Sequence, residues 1–345
     1  MTGKFAQNSR VRRPITMRDV ARHLHCDPST VSRALRHEPT ISQSRGEWIR
    51  QEAKRLGYRP DPVVSAFTAQ VRGYRRRKGL GTIATVSRKR AKPDSCLFRG
   101  LQQEAEAHGY QVDSLAMDEM ELKPRVLNRV LRARGIRMLI VLPVDWNTDY
   151  SGIDFASLAA ARIGPSLKQP RLPMISANHF RNVHLACARL REQGHFRIGL
   201  SLSELTDQRL DGQWLGGYLA YCQMAGPRKT PPVFRPEQQN PEQFHQWICK
   251  QRLTAVLTPG HYYLRDWLHQ AGRDHETWPV TLASLTGDQE SSWPGIDERM
   301  EEVGAAAVRT VIARIQRNST GVPDNSETIL IEGRWRSGES TRPGG

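Results

Sequence analysis

A chain of 345 residues is too long for one small module and long enough for a headpiece with one or two further domains. Its 38% hydrophobic content suffices for a packed core once glycine is counted, and no apolar run approaches the length that crosses a bilayer. The formal charge of +16 is one-sided: residues 1–80 hold 18 Lys and Arg against 6 Asp and Glu, an excess of 12, as expected of a nucleic-acid footprint and not of uniform surface charge.

Residues 1–14 contain no apolar h-region and read as a basic arm, not a targeting segment. Residues 15–60 predict three short helices with almost no loop between them. Thr16 and Asp19 have capping-box spacing, and Val20, Ala21 and Leu24 follow at helical spacing. Asp27 is placed to cap the second helix, with Pro28 in its first turn, where no backbone donor is needed, and Val31 and Leu35 as its buried stripe. Ser42 is placed to cap the third, whose stripe is Ile49, Ala53 and Leu56 and which ends at Gly57. Two short helices joined by a tight turn and braced by a third form a helix-turn-helix. The second helix leaves Ser29, Thr30, Ser32, Arg33 and Arg36 off its buried stripe, and hydroxyl and guanidinium groups suit phosphates and base edges. Pro28 and Ser29 open that helix, where side chains meet bases, and Thr16 joins them as a DNA-contacting candidate. The alternative is a small three-helix bundle with a solvated polar face.

Pro60, Asp61 and Pro62 break the third helix. Residues 61–80 then hold a short helical pattern, VVSAFTAQVR, and a basic run of Arg75, Arg76, Arg77 and Lys78. From Gly81 to Trp335 short apolar strands alternate with amphipathic helices. Strands are predicted over 82–86, 110–115, 138–142, 173–177, 198–202, 255–257 and 280–284. Helices are predicted over 98–108, 124–134, 183–193, 208–224, 264–271 and 301–317. That alternation implies an α/β fold of parallel sheets covered by helices. Residues 336–345 read as a disordered tail. Cys26, Cys96, Cys187, Cys222 and Cys249 are scattered, odd in number and without C-x-x-C spacing, which argues for reduced thiols in a cytoplasm and against zinc. No nucleophile elbow, P-loop or H-E-x-x-H is present, so neither an enzyme nor a cofactor is expected.

The segment TMRDVARHLHCDPSTVSRALR, with the exit LGYRP at Leu56–Pro60, resembles the headpiece of the LacI/GalR family of bacterial transcription regulators. The resemblance implies an N-terminal helix-turn-helix headpiece followed by a periplasmic-binding-protein-like core of two α/β subdomains, with chain crossings near residues 177–183 and 286–296. It also implies a hinge helix within 61–80, in which Phe67 falls at the position of the side chain that wedges into the DNA minor groove. The family usually has Leu there. Arg209-Leu210-Asp211-Gly212 resembles the family's R-L-x-G, whose Arg reaches the ligand cleft from the start of a helix. Ligands of open α/β sheets bind beyond the carboxyl ends of the strands, which points to Arg88, Asp145, Trp146, Asn178, His261 and Asp288 beside Arg209. The segment holding Asp288 lacks the family's P-x-L-T-T. The expected partners are double-stranded DNA with a pseudo-palindromic operator, a small-molecule effector of carbohydrate type, and a second copy of the chain in a homodimer, with no membrane. A ligand-independent DNA-binding protein with a degenerate core and a transporter's solute-binding protein are the alternatives.

Overall fold

The computed structural model describes residues 15–35, 41–58, 81–88, 94–118, 123–143, 150, 152–225, 233–235, 241–259, 267, 280–287 and 293–338. The chain divides into two compact units, residues 1–76 and 77–345.

The first unit contains α1 (Met17–His23), α2 (Pro28–Leu35) and α3 (Gln43–Arg55). Each contributes a pair of small or branched residues to one core: Val20 and Ala21, Val31 and Ala34, Ile49 and Ala53. Leu35, expected at the centre of the α2 stripe, only packs against this core, because Ala34 takes the inner position. α1 and α3 end alike. The Cys26 N–H bonds the Ala21 carbonyl (3.0 Å) and the Tyr58 N–H bonds the Ala53 carbonyl (2.9 Å), each with a left-handed residue just before the donor. At α3 that residue is Gly57, which bears φ +81° without strain; at α1 it is His25, at φ +50°.

The second unit is built on two sheets. The six-stranded sheet has the order β10-β5-β4-β3-β1-β2 and is parallel throughout. Its strands are β1 (Gly81–Ser87), β2 (Tyr110–Ala116), β3 (Met138–Val141), β4 (Ala159–Ile163), β5 (Met174–Ala177) and β10 (Thr328–Ile331). The five-stranded sheet has the order β11-β9-β8-β7-β6. It comprises β6 (Ile198–Leu200), β7 (Ala255–Thr258), β8 (Thr281–Ser284), β9 (Gly295–Asp297) and β11 (Arg334–Arg336), with only β11 antiparallel. The helices are α4 (Cys96–Ala107), α5 (Pro124–Arg134), α6 (His179–Glu192), α7 (Glu204–Arg209), α8 (Gln213–Ala225), α9 (Pro241–Gln251) and α10 (Met300–Gln316).

Both faces of the second sheet are covered. Along β7, Ala255 and Leu257 join a cluster with α6 and α8, whereas Val256 joins Phe244, Ile248 and Trp267 on the other side. Such two-sided burial produces continuous apolar runs in place of alternation. β4 is absent from the sequence expectation because its residues, Ala-Ala-Ala-Arg-Ile, have little strand propensity. Ala159 and Ala161 are fully buried under Val303, Ala307 and Val311 of α10, where small side chains let the helix approach. The short β9, β10 and β11 and helix α9 are likewise unread. Of the helix expected over 264–271 only Trp267 is among the described residues.

Among the described residues the chain passes between the sheets three times. It leaves β5 for α6 at Asn178, returns from β9 to α10 at residues 298–299, and leaves β10 for β11 at residues 332–333. The return expected near 286–296 therefore comes later, and the third passage is an addition. The three connections touch. Gly333 N–H donates to Asn182 Oδ1 (2.9 Å), His179 Nδ1 stands 3.1 Å from Glu298 Oε1, and Arg181 Nε stands 3.8 Å from Glu332 Oε1. A Cβ at Gly333 would come within 2.7 Å of Asn182 Oδ1 and 2.8 Å of the Asp297 carbonyl, so a side chain there would push the connections apart.

Candidate nucleic-acid interface and core site

Thr16 N-caps α1 through a complete capping box. Its hydroxyl donates to Asp19 Oδ2 (2.6 Å), its N–H donates to the same oxygen (3.0 Å), and the Asp19 N–H returns to Thr16 Oγ1 (3.3 Å). Thr16 is exposed, but its donors are already engaged, so its first role is to hold α1. Ser42 precedes α3 as expected, yet its side chain makes no capping bond; its carbonyl accepts the Gly46 N–H (2.9 Å).

Helix α2 carries the candidate interface residues. Pro28, Ser29 and Thr30 occupy its first turn, with Pro28 and Ser29 exposed and Thr30 half-buried. Arg33 lies one turn further on and donates from Nη2 to Ser29 Oγ (3.0 Å), so guanidinium and hydroxyl share one face. Arg50 of α3 donates to the Ala34 carbonyl (2.8 Å) and satisfies the far end of α2. Asp27 Oδ1 accepts the Ser29 N–H at 2.7 Å. Hydrogen bonds from Ser29, first from its hydroxyl and then from its backbone, hold the Asp27 carboxyl below the ordinary carboxylate value. A lowered folded value means that this stabilisation is present above the unfolded pKa of about 3.9 and is lost as pH falls through the folded value. Asp27→Asn keeps a capping oxygen without the charge. We expect its headpiece stability, followed by circular dichroism, to fall less steeply below about pH 4 than that of the wild type; parallel acid limbs would disprove the linkage. The side chain of Ser32, and Arg36 and Phe67 as a whole, lie outside the described residues.

In the core, Arg88 and Asn178 stand where strands give out. Arg88 follows β1 and pairs with Asp118 (Nε to Oδ2, 2.8 Å). Asn178 follows β5, and its Oδ1 accepts the Arg181 N–H (3.2 Å), so it caps α6. Arg209 is placed differently from expectation. Residues 208–224 do not form one helix: Asp211 and Gly212 take φ of +56° and +67°, breaking the chain into α7 and α8. Arg209 therefore closes the last turn of α7 and does not open a helix. Ser203 N-caps α7 through the Thr206 N–H (3.1 Å). Asp145, Trp146, His261 and Asp288 lie outside the described residues.

The structure adds charged partners that single residues did not betray in the sequence. Arg235 donates to the Leu202 carbonyl (2.9 Å) and stands 3.6 Å from the buried Asp207. Lys168 contacts Asp211. Arg162 on β4 holds the carbonyls of Leu167 and Leu172, the first through Nη1 and the second through Nε (3.3 Å). Burial pulls its guanidinium below the ordinary arginine value, while Asp211 acts in the opposite direction. These residues join pieces far apart in the chain, so no local spacing announces them. Among the described residues no group of three His, Cys, Asp or Glu side chains could hold a metal ion, and no helix is long and apolar enough to cross a membrane.

The profile of the bacterial regulatory proteins of the lacI family matches residues 16–61, the three helices and the exit just described. Over these residues the chain is similar to the LacI family. The HTH-type transcriptional repressor CytR of Escherichia coli (strain K12) is 26% identical over 196 residues, 53% of this chain and 52% of CytR. The chain thus spans about half the length of the curated relatives it matches. Two solved structures share the fold over nearly the whole chain. The transcriptional regulator CelR in complex with cellobiose has a TM-score of 0.57 at 17% identity, covering 95% of this chain and all of CelR. The lac repressor dimer bound to operator and an anti-inducer has a TM-score of 0.54 at 16% identity, covering 96% and 100%. The fold is therefore a helix-turn-helix headpiece followed in the chain by an α/β core of two lobes.

Proposed function

We propose that the protein is a sequence-specific DNA-binding transcriptional regulator, a repressor, whose operator affinity is set by a small molecule held between the core lobes. The observation that carries this reading is the LacI-family headpiece with the Ser29–Arg33 face of α2 turned outward. CytR's description as a repressor, and the solved lac repressor on its operator, support the DNA half. The CelR–cellobiose complex supports the ligand half and favours a sugar or related metabolite. Two copies in a homodimer present two recognition helices to a pseudo-palindrome, and Phe67 from each enters the minor groove as a wedge. Such a protein works in the cytoplasm, without a cofactor and without enzymatic activity. Arg88, Asn178 and Arg209, with Asp145, Trp146, His261 and Asp288, are the proposed effector contacts. A ligand that prefers one closure of the lobes shifts the population of headpiece arrangements and so the operator affinity.

The test is selection of bound sites from random DNA, followed by a metabolite screen on the winning site. A selected pseudo-palindrome whose affinity responds to a metabolite is expected. Affinity indifferent to every metabolite that binds the core would favour the ligand-independent DNA-binding protein, and no selected site at all would favour the solute-binding alternative. Once a ligand is in hand, Arg209→Ala should leave ligand-free DNA binding intact and raise the ligand midpoint roughly 10-fold or more, since a charge-assisted hydrogen bond is lost. An unchanged midpoint removes Arg209 from the site.

A further inference from the structure

Lys168 and Asp211 belong to different lobes. Lys168 lies on the segment leaving the C-terminal end of β4, and Asp211 lies between α7 and α8, on the segment leaving the C-terminal end of β6. Their contact joins the two lobes through segments that follow the carboxyl ends of strands, the side on which ligands of such folds bind. Both side chains remain open, at 43% and 60% exposure. The first lobe adds two more cations. Arg162 is anchored by the Leu167 and Leu172 carbonyls, the same segment that bears Lys168, and lies within electrostatic reach of both Arg171 and Asp211. Lys168 therefore contacts, and the anchored Arg162 faces electrostatically, one carboxylate, which the opposite lobe extends from a left-handed turn.

We propose that the Asp211 carboxylate is a resident stand-in for an anionic group of the effector, a carboxylate or phosphate that displaces it and takes Lys168. This rests on the reading of the core as an effector site and narrows the effector to a sugar acid, a sugar phosphate or a similarly charged metabolite. A neutral hydroxyl is a poor replacement, because it would exchange a charge-assisted contact for one about half as strong. An anion pays no such penalty, and it leaves Asp211 free to turn to solvent, which its exposure allows. Displacement also breaks the lobe-to-lobe contact, so arrival of the ligand alters how the lobes are held together.

The experiment is calorimetric titration of the full-length protein with matched probes: glucose, glucuronate and glucose 6-phosphate; ribose and ribose 5-phosphate; and inorganic phosphate. Wild type, Asp211→Asn and Lys168→Gln are compared. An exposed ion pair contributes little to stability, so both variants should fold. We expect anionic probes to bind more tightly than their neutral partners. Asp211→Asn should tighten the anions roughly 10-fold by removing the competitor, and Lys168→Gln should weaken them by a similar factor. Neutral probes should not distinguish the three proteins. Equal affinity for neutral and anionic partners, or no anion binding Asp211→Asn more tightly than wild type, overturns the proposal. Repeating the titrations on the selected operator separates the two readings. A neutral sugar that shifts operator affinity equally in all three proteins overturns the anionic class and leaves the regulator standing. Anions that bind as expected but never move operator affinity uphold the anion site and remove the effector-controlled regulator.

Discussion

Gly100→Ala is expected to destabilise the core by about 2–3 kcal/mol, the range of an overpacked interior site. Gly100 lies on α4 where that helix crosses α10. A Cβ built there falls well inside van der Waals contact of the Glu301 backbone carbonyl, and backbone, unlike a side-chain tip, cannot turn aside. The crossing is reciprocal: a Cβ at Gly304 of α10 would stand 2.5 Å from the Leu97 carbonyl and 2.9 Å from the Leu101 nitrogen. Two glycines thus set the helix separation, and the contacts of Leu101 and Ala105 with Val303 and Ala307 depend on it. Forcing the helices apart opens that cluster and loosens α10 over β4. The measurement is denaturant unfolding of the full-length protein, following the core transition. Gly304→Ala should give a loss of the same sign and similar size. A Gly100→Ala core within about 0.5 kcal/mol of wild type would mean that the crossing yields at little cost.

Arg33→Ala is expected to weaken binding to a selected operator by about 1–3 kcal/mol, several-fold to more than 100-fold, measured at one fixed salt concentration. Arg33 and Ser29 share a face of α2, and the 3.0 Å bond between them holds the guanidinium over the first turn, where a recognition helix meets bases. Ser29→Ala should remove that orientation and cost less. Arg33→Lys separates two ways of contributing. A lysine keeps the charge and restores binding if Arg33 meets only a phosphate, but it cannot reproduce a two-pronged contact with a guanine edge. Binding by Arg33→Ala as tight as that of wild type would remove α2 from the DNA interface.

The headpiece was legible because its information is local. Thr16 and Asp19 are three residues apart, Asp27 and Ser29 two, and Ser29 and Arg33 one helical turn, so caps and faces follow from spacing alone. The Ser42 cap failed for the complementary reason: a residue type suited to capping does not compel the rotamer that makes the bond. Strands such as β3 and β5 were legible as apolar runs, whereas β4 was hidden because its alanines serve the approach of α10, 140 or so residues later in the chain. The helix expected over 208–224 read as continuous because Asp and Gly at 211–212 do not by themselves forbid a helix; the left-handed turn appears only once α7 and α8 have separate partners.

The amino-acid sequence by itself determined the headpiece, its shared Ser29–Arg33 face and the α/β character of the core, all properties set by residues within a turn or two of each other. Only the tertiary structure decided which sheet each strand joins, the three passages between the lobes and the meeting of Lys168 with Asp211. The physical reason is range. Capping and periodicity are governed by contacts a few residues apart, whereas a lobe-to-lobe ion pair or a glycine crossing is defined by two segments that the fold alone brings within contact distance.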